Sequence, residues 1–274
     1  MNAINNGNNT THWSEKEKNL NGLMIRRYPS GKRYSRTKFR EGDPEGEYLF
    51  WYESGQLKSR YFYQMGFIYG QVQHYHENGV QEAEENYVEG LLEGAYKEWN
   101  TKGVLTHLSH YRDGLNEGIS TEWYDSSCVK SEVNYVEGRP NGQWRQYYPN
   151  KQLQSVVNYI KGKRDSVMQT FYETGEKESE VYYLDGKLQG MKTIWFKSGR
   201  ISSIETYRNG LKDGKSTEFS NRGVRIAQDV YRDGKLHGLL RLWNEERELV
   251  LEEYYEFGRL NKSLVFARQA SEFI

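Results

Sequence analysis

Apolar and polar residues along this chain keep a fixed spacing of 24 positions. Open a frame at Gly22, call that position 0, and step by 24. Position 17 then reads Phe39, Tyr63, Tyr87, Tyr111, Tyr135, Tyr159, Tyr183, Tyr207, Tyr231 and Tyr255, a ring in all ten frames. Position 5 reads Trp51, Tyr75, Trp99, Trp123, Tyr147, Phe171, Trp195, Phe219 and Trp243, with Arg27 the exception in the first frame. Glycine punctuates the same frame: 26 of the 27 glycines fall at positions 0, 9 and 20, and position 20 is glycine in all ten. Ten repeats therefore follow one another without insertion, and the array is the organising unit of the chain.

The segments between glycines are rich in Tyr, Trp, Val and Thr, which is the side-chain chemistry of a pleated, half-buried strand. Stretches such as Glu53-Ser54-Gly55-Gln56 suit a short hairpin loop whose glycine takes positive φ. Stretches such as Arg112-Asp113-Gly114 and Arg232-Asp233-Gly234 mark a second tight reversal. Pro29, Pro44, Pro140 and Pro149 all fall in turns, where no ladder donor is lost. The expectation is an all-β fold, an elongated antiparallel meander of ten 24-residue β-hairpin repeats over residues 22–261. Residues 1–21 read as a polar, flexible segment. Residues 262–274 read as a cap, with 263–267 pairing on the last hairpin and a tail beyond.

Alternation assigns faces. Position 5 goes with positions 1 and 3, and position 17 with position 13, which is small in eight repeats (Ser35, Ser59, Ala83, Ser131, Ser155, Ser179, Ser203, Ala227). A small residue two places before a ring leaves room for a neighbouring ring, so the rings of positions 5 and 17 are expected to form one stacked core ladder.

Composition changes little in this picture. Mean hydropathy is −0.96, a value that suits disorder, but rings recurring in register supply a core. The 38 basic and 38 acidic side chains cancel, so no general attraction to nucleic acid or acidic lipid is expected. No apolar run is long enough to span a bilayer as a helix, the start lacks an apolar signal core, and Cys128 is the only cysteine. A cytoplasmic location is the expectation that follows.

The pattern Gly-x4-Trp-Tyr-x2-Gly-x-Leu-Lys-Ser, then Tyr-x2-Gly, stands clearest in residues 46–59 with Tyr63 and Gly66, and recurs from Gly118 through Gly142 and from Gly190 through Gly214. It resembles the MORN-repeat variant of bacterial proteins in the YwqK antitoxin family. The resemblance covers residues 22 to about 261. It implies neutralisation of a partner toxin by direct binding. MORN arrays elsewhere are scaffolds, some at membranes, and that is the alternative. No catalytic residues come with the family. Ser127, Lys151 and Ser166 depart from its glycines and mark repeats five to seven as less regular.

Candidate chemistry is sparse. His74 and His76 share one strand face, but no third ligand recurs near them, and a metal site needs more. Cys128 takes a turn position with no His–Asp arrangement around it, and no glycine run builds a phosphate loop. Neither enzyme activity nor a cofactor is expected.

Two departures from uniformity suggest a protein partner. Repeat three holds six glutamates and no Lys or Arg, among them Glu82, Glu84 and Glu85. These are either solvated positions or an acidic patch for a basic partner. Tyr124, Trp144, Tyr148, Met168 and Tyr172 fall at positions 2 and 6 of adjacent repeats and point away from Trp123, Tyr147 and Phe171. They are either a binding surface or a second packed face, because position 6 is also aromatic at Tyr28, Tyr52 and Phe196.

Overall fold

The computed structural model describes residues 20–124 and 128–266. Most of the expected N-terminal segment, Ser127 and the tail from Ala267 lie outside the described residues. Every described element is a β-strand and none is a helix. The chain divides into two compact units, Met1–Arg139 and Pro140–Ile274.

The first unit is an antiparallel meander from Gly22–Arg27 to Val129–Val136. The second runs from the strand Arg139–Tyr147 to Arg259–Val265, again with each strand antiparallel to the next. The last strand, Arg259–Val265, pairs with Leu249–Glu256.

Two turn types build both meanders. In each repeat whose loop is described, the position-6 carbonyl accepts from the position-9 N–H, as Tyr52 does from Gly55 at 2.9 Å, and the position-6 N–H donates back across the loop, as Tyr52 does to Gln56. Gly55 has φ +99°, as expected for a three-residue loop closed by a residue in the left-handed region. Between repeats, positions 19 and 20 both take positive φ, for example Glu89 at 49° and Gly90 at 80°. That pair of angles is the type I′ hairpin turn, whose twist matches that of its flanking strands. The position-20 N–H also donates to the position-22 carbonyl of the repeat before, as Gly90 does to Ile68 at 2.9 Å. The turn is thus bonded sideways as well as across.

The register corrects the expected core. Tyr48 faces Tyr61, Phe50 faces Ser59, and then the pairing slips so that Trp51 faces Leu57. The same slip recurs before Tyr75, Trp123, Tyr147, Phe171, Trp195, Phe219 and Trp243. It is a β-bulge at position 12 of the returning strand. Positions 0, 2 and 4 therefore share a face with 17, 15 and 13, while position 5 lies on the other face with 1 and 3. The expected ladder of positions 5 and 17 does not form. Alternation counted as if the bulge were absent places them together, which is why the expectation fails.

The buried side chains confirm the assignment. Phe39, Tyr63, Tyr48, Val72, Tyr96, Ser35, Ser59, Val133, Val157 and Val181 all stand at positions 2, 13, 15 or 17. Leu23, Ile25, Phe62, Ile119, Val167 and Met191, at positions 1, 3 or 16, are exposed. In the first unit the ring contacts follow the same face: Tyr48 stacks on Phe50 at 4.4 Å, and Tyr61 meets Phe50, Tyr63 and His74 at 5.6–6.4 Å. The small residue of position 13 sits opposite the position-4 side chain, which explains its size.

Candidate protein-binding surface

The face carrying positions 2, 4, 15 and 17 is where side-chain chemistry concentrates. In repeats three, eight and ten the position-17 hydroxyl donates to a carboxylate two residues earlier on the same face: Tyr87 to Glu85 at 2.6 Å, Tyr207 to Glu205 at 2.8 Å, Tyr255 to Glu253 at 2.7 Å. Tyr96 donates to Glu98 in the same way along a leading strand. Burial pushes Tyr87, Tyr96 and Tyr207 up and the neighbouring carboxylate adds to the effect, most strongly at Tyr87 and Tyr96, whereas at Tyr255 the bond to Glu253 is the leading cause. Tyr63, pressed among Tyr61 and Tyr48, is pushed up to about 12, mainly by burial. Tyr207 also reaches about 12, by burial and then by its bond to Glu205.

Glu205 shows the opposing balance. Burial alone raises its carboxyl, but hydrogen bonds from Lys212 at 2.6 Å and from Tyr207, with the charges of Lys212 and Lys192, hold it below the ordinary glutamate value. His74 joins this face in the first unit, with Nδ1 3.0 Å from Ser59 Oγ and Nε2 3.6 Å from Glu85. Among the described residues no group of three or more His, Cys, Asp or Glu side chains is placed to hold a metal ion.

The residues singled out from the sequence are divided between the units: Glu82, Glu84, Glu85 and Tyr124 in the first, Trp144, Tyr148, Met168 and Tyr172 in the second. Glu84 lies on the outer face, ion-paired to Lys97 at 3.3 Å. Glu85 is on the ring face and half-buried, and Glu82 is exposed 3.9 Å from His76. Trp144 and Met168, at position 2, are half-buried on the ring face opposite Val157 and Val181. Trp144 meets Tyr159 at 5.7 Å. They do point away from position 5, as expected, but the face they join is the one with the Tyr159 and Tyr183 rings. Tyr124 is half-buried at position 6 in the first unit.

Tyr148 and Tyr172 reveal what position 6 does. Their hydroxyls donate to the position-5 carbonyls of the next repeat, Phe171 at 3.0 Å and Trp195 at 2.7 Å. Tyr28 and Tyr52 do the same to Trp51 and Tyr75, and His76 Nε2 lies 2.8 Å from the Trp99 carbonyl. At these five repeats position 6 is therefore a tie to the next repeat. Its recurring aromatic character was the available signal.

A second tie was missed at position 23. There Glu45, Glu93 and Glu117 accept the exposed position-19 N–H of the following turn (Met65, Asp113, Glu137) at 2.9–3.2 Å. Asn21, Asn141 and Gln189 do so with amide oxygens. An acceptor three residues past the invariant position-20 glycine, in nearly every repeat, is a readable sequence signal.

Comparison with known proteins bears on the repeats only. The family described as MORN repeat variant matches residues 44–65 and 140–161. No curated protein matches the chain. Among solved structures, a mutant of S. aureus TarM in complex with fondaparinux, alpha-GlcNAc-glycerol and UDP is similar at 16% identity over 35% of this chain and 19% of that one, with a TM-score of 0.25. TcdB2-TccC3-Cdc42 is similar at 12% identity over 84% of this chain and 14% of that one, TM-score 0.20. A mutant Photorhabdus luminescens Tc holotoxin pore gives 12%, 84%, 15% and 0.19. This chain spans less than a fifth of the length of any of these three, and likenesses this distant carry no argument. What the comparisons do establish is that each compact unit contains a MORN repeat of the variant type, at 44–65 in the first and 140–161 in the second.

Proposed function

We propose that this chain is a non-catalytic binding protein that neutralises a toxin or effector by occupying its surface. The observation that supports this reading is the ring face itself. Within each unit, among the described residues, no helix or second sheet lies over it, and it presents half-buried tyrosines interleaved with carboxylates. Rings that bury large area at low conformational cost, with a hydroxyl at the tip, are what protein interfaces select. The carboxylates at positions 4 and 15 (Glu85, Glu98, Glu122, Glu205, Glu218, Asp229, Glu253) favour a basic partner, such as a protein that acts on nucleic acid. The resemblance to the YwqK antitoxins points the same way.

The test is capture with the intact chain from its native host, followed by titration of the captured protein's activity. Stoichiometric loss of that activity supports the reading. Binding of the purified chain to acidic liposomes, with no captured protein, replaces it with a membrane scaffold.

A further inference from the structure

The turn that closes repeat two breaks the repeat pattern at three positions together. Position 19, charged or Asn in eight repeats, is Met65. Position 21 carries a ring in one repeat alone, at Phe67. Position 23, the acceptor that bonds the next turn, is Tyr69. All three side chains are exposed, at 78%, 58% and 44%. With Gln64 and Glu89 they line a cavity of about 490 Å³ within the first unit.

The turn itself does not need these side chains. The equivalent turns at Asp185-Gly186 and Asp233-Gly234 have the same positive φ pair, and there position 21 is Lys187 and Lys235. Folding thus tolerates a lysine where the first unit keeps an exposed phenylalanine. The ring lies over Gly90 of the next turn: its Cδ1 is 3.4 Å from where a Cβ on that glycine would stand.

Carboxylates rim the apolar floor. Glu89 lines the cavity. Glu45 accepts the Met65 N–H at 3.2 Å, and the Asp43 Cγ lies 3.2 Å from a Cβ built on Gly66. Arg40 faces Asp43 across the preceding turn and is the cation on this stretch of the edge. An exposed apolar hollow with an acidic rim suits an apolar side chain flanked by lysine or arginine.

We propose that the Met65–Phe67–Tyr69 hollow docks a basic amphipathic segment of a partner protein, with one apolar side chain seated in the cavity and its flanking cations on Asp43, Glu45 and Glu89. This surface lies at the turn edge, apart from the ring face, and does not depend on the partner being a toxin.

The probe is a fluorescein-labelled amphipathic peptide of leucine and lysine, read by anisotropy against the full chain. A leucine–glutamate peptide of the same pattern serves as the counter-probe. The lysine peptide is expected to bind and the glutamate peptide not to. Met65→Ser with Phe67→Ser should weaken binding at least about tenfold, as for a seated apolar anchor. Glu45→Gln with Glu89→Gln should weaken it and flatten its salt dependence. Leu211→Ser, the matching turn position in the second unit, should change nothing. Because Met65 and Phe67 are exposed, far-UV circular dichroism and the melting temperature should stay at wild-type values. Phe67→Leu, which keeps an apolar floor, should retain most of the binding. Equal binding of both peptides, or lysine-peptide binding indifferent to the Met65/Phe67 pair, overturns the proposal. So does a wild-type dimer in light scattering that the pair abolishes, since the occupant would then be a second copy.

Discussion

Ser166 stands where nine other repeats have glycine, and it keeps the glycine conformation, with φ 65°. Its hydroxyl bonds Asp165 at 2.9 Å, which does not remove the clash of a Cβ in the left-handed region. Around the equivalent Gly46, at φ +78°, a Cβ would meet nothing within 4 Å. At Gly46 the demand is therefore conformational and not spatial. Ser166→Gly should stabilise the protein by about 1 kcal/mol and Gly46→Ala should destabilise it by a similar amount, read as opposite shifts of the urea midpoint. Equal and negligible shifts would mean that the backbone at position 0 relaxes around a side chain. Glu205 offers a second test. Its folded carboxyl lies below the ordinary value, so its ionised form favours folding. That contribution is whole above the unfolded glutamate value and is lost as pH falls through the lower folded one. The stability gap between wild type and Glu205→Gln should therefore shrink on acidification from neutral pH, in urea melts taken at each pH. A constant gap would show that Glu205 contributes by packing alone.

At the scale of the hairpin, sequence and structure agree on what recurs and part on which way it points. The strand chemistry, the glycine turns and the antiparallel order were all legible, because turns at fixed spacing leave few alternatives. The faces were not. The bulge at position 12 has no residue signature of its own: Tyr34, Lys58, Glu82 and Thr106 all occupy it. One extra residue reverses every side chain beyond it. Hence Trp144, Met168 and the position-17 tyrosines, separated on the page, share a face, and Trp123 and Tyr135, joined on the page, do not. Of the proposed binding residues, the sequence could show that rings cluster at positions 2 and 6. It could not show that Tyr148 and Tyr172 spend their hydroxyls on the next repeat. The face assignment has a direct consequence. Trp144→Ala should cost about 3 kcal/mol, the low end for a large ring because Trp144 is only half-buried. Met191→Ala, at position 1 on the outer face and 66% exposed, should stay within about 0.5 kcal/mol of wild type. Chemical denaturation decides it, and similar losses at both sites would mean that the outer face is packed too.

The two units differ in how much holds them together, although one repeat builds both. Buried rings belong to the first: Phe39, Tyr48, Tyr63 and Tyr96, with Val72 and Val133 beside them. Among the described residues of the second, the buried apolar side chains are Val157, Val181 and Val224. The second also holds Lys151, Ser166 and Arg247 at glycine positions with φ 65–71°, each a strained residue. Position 15 adds to the contrast. It is Thr37, Tyr61, Glu85, Ser109 and Val133 in the first unit, one carboxylate in five, and Val157, Val181, Glu205, Asp229 and Glu253 in the second, three in five, where carboxylates paired with tyrosine and lysine replace apolar contact. In a repeat array stability is a sum of repeat and neighbour terms, so these local deficits add up within the second unit. Native-state hydrogen exchange in rising urea should therefore show amides of strands such as Leu153–Ile160 and Ile201–Arg208 opening at lower denaturant than those of Leu57–Gln64 and Gln81–Val88. The wholly exposed strand Arg259–Val265 should open before any of them. Replacing Lys151, Ser166 and Arg247 together by glycine should narrow the difference by about 3 kcal/mol at most, if the three strains are independent. A single opening midpoint for both units, unmoved by the triple change, would show that the array unfolds as one cooperative body and that the burial contrast has no energetic weight.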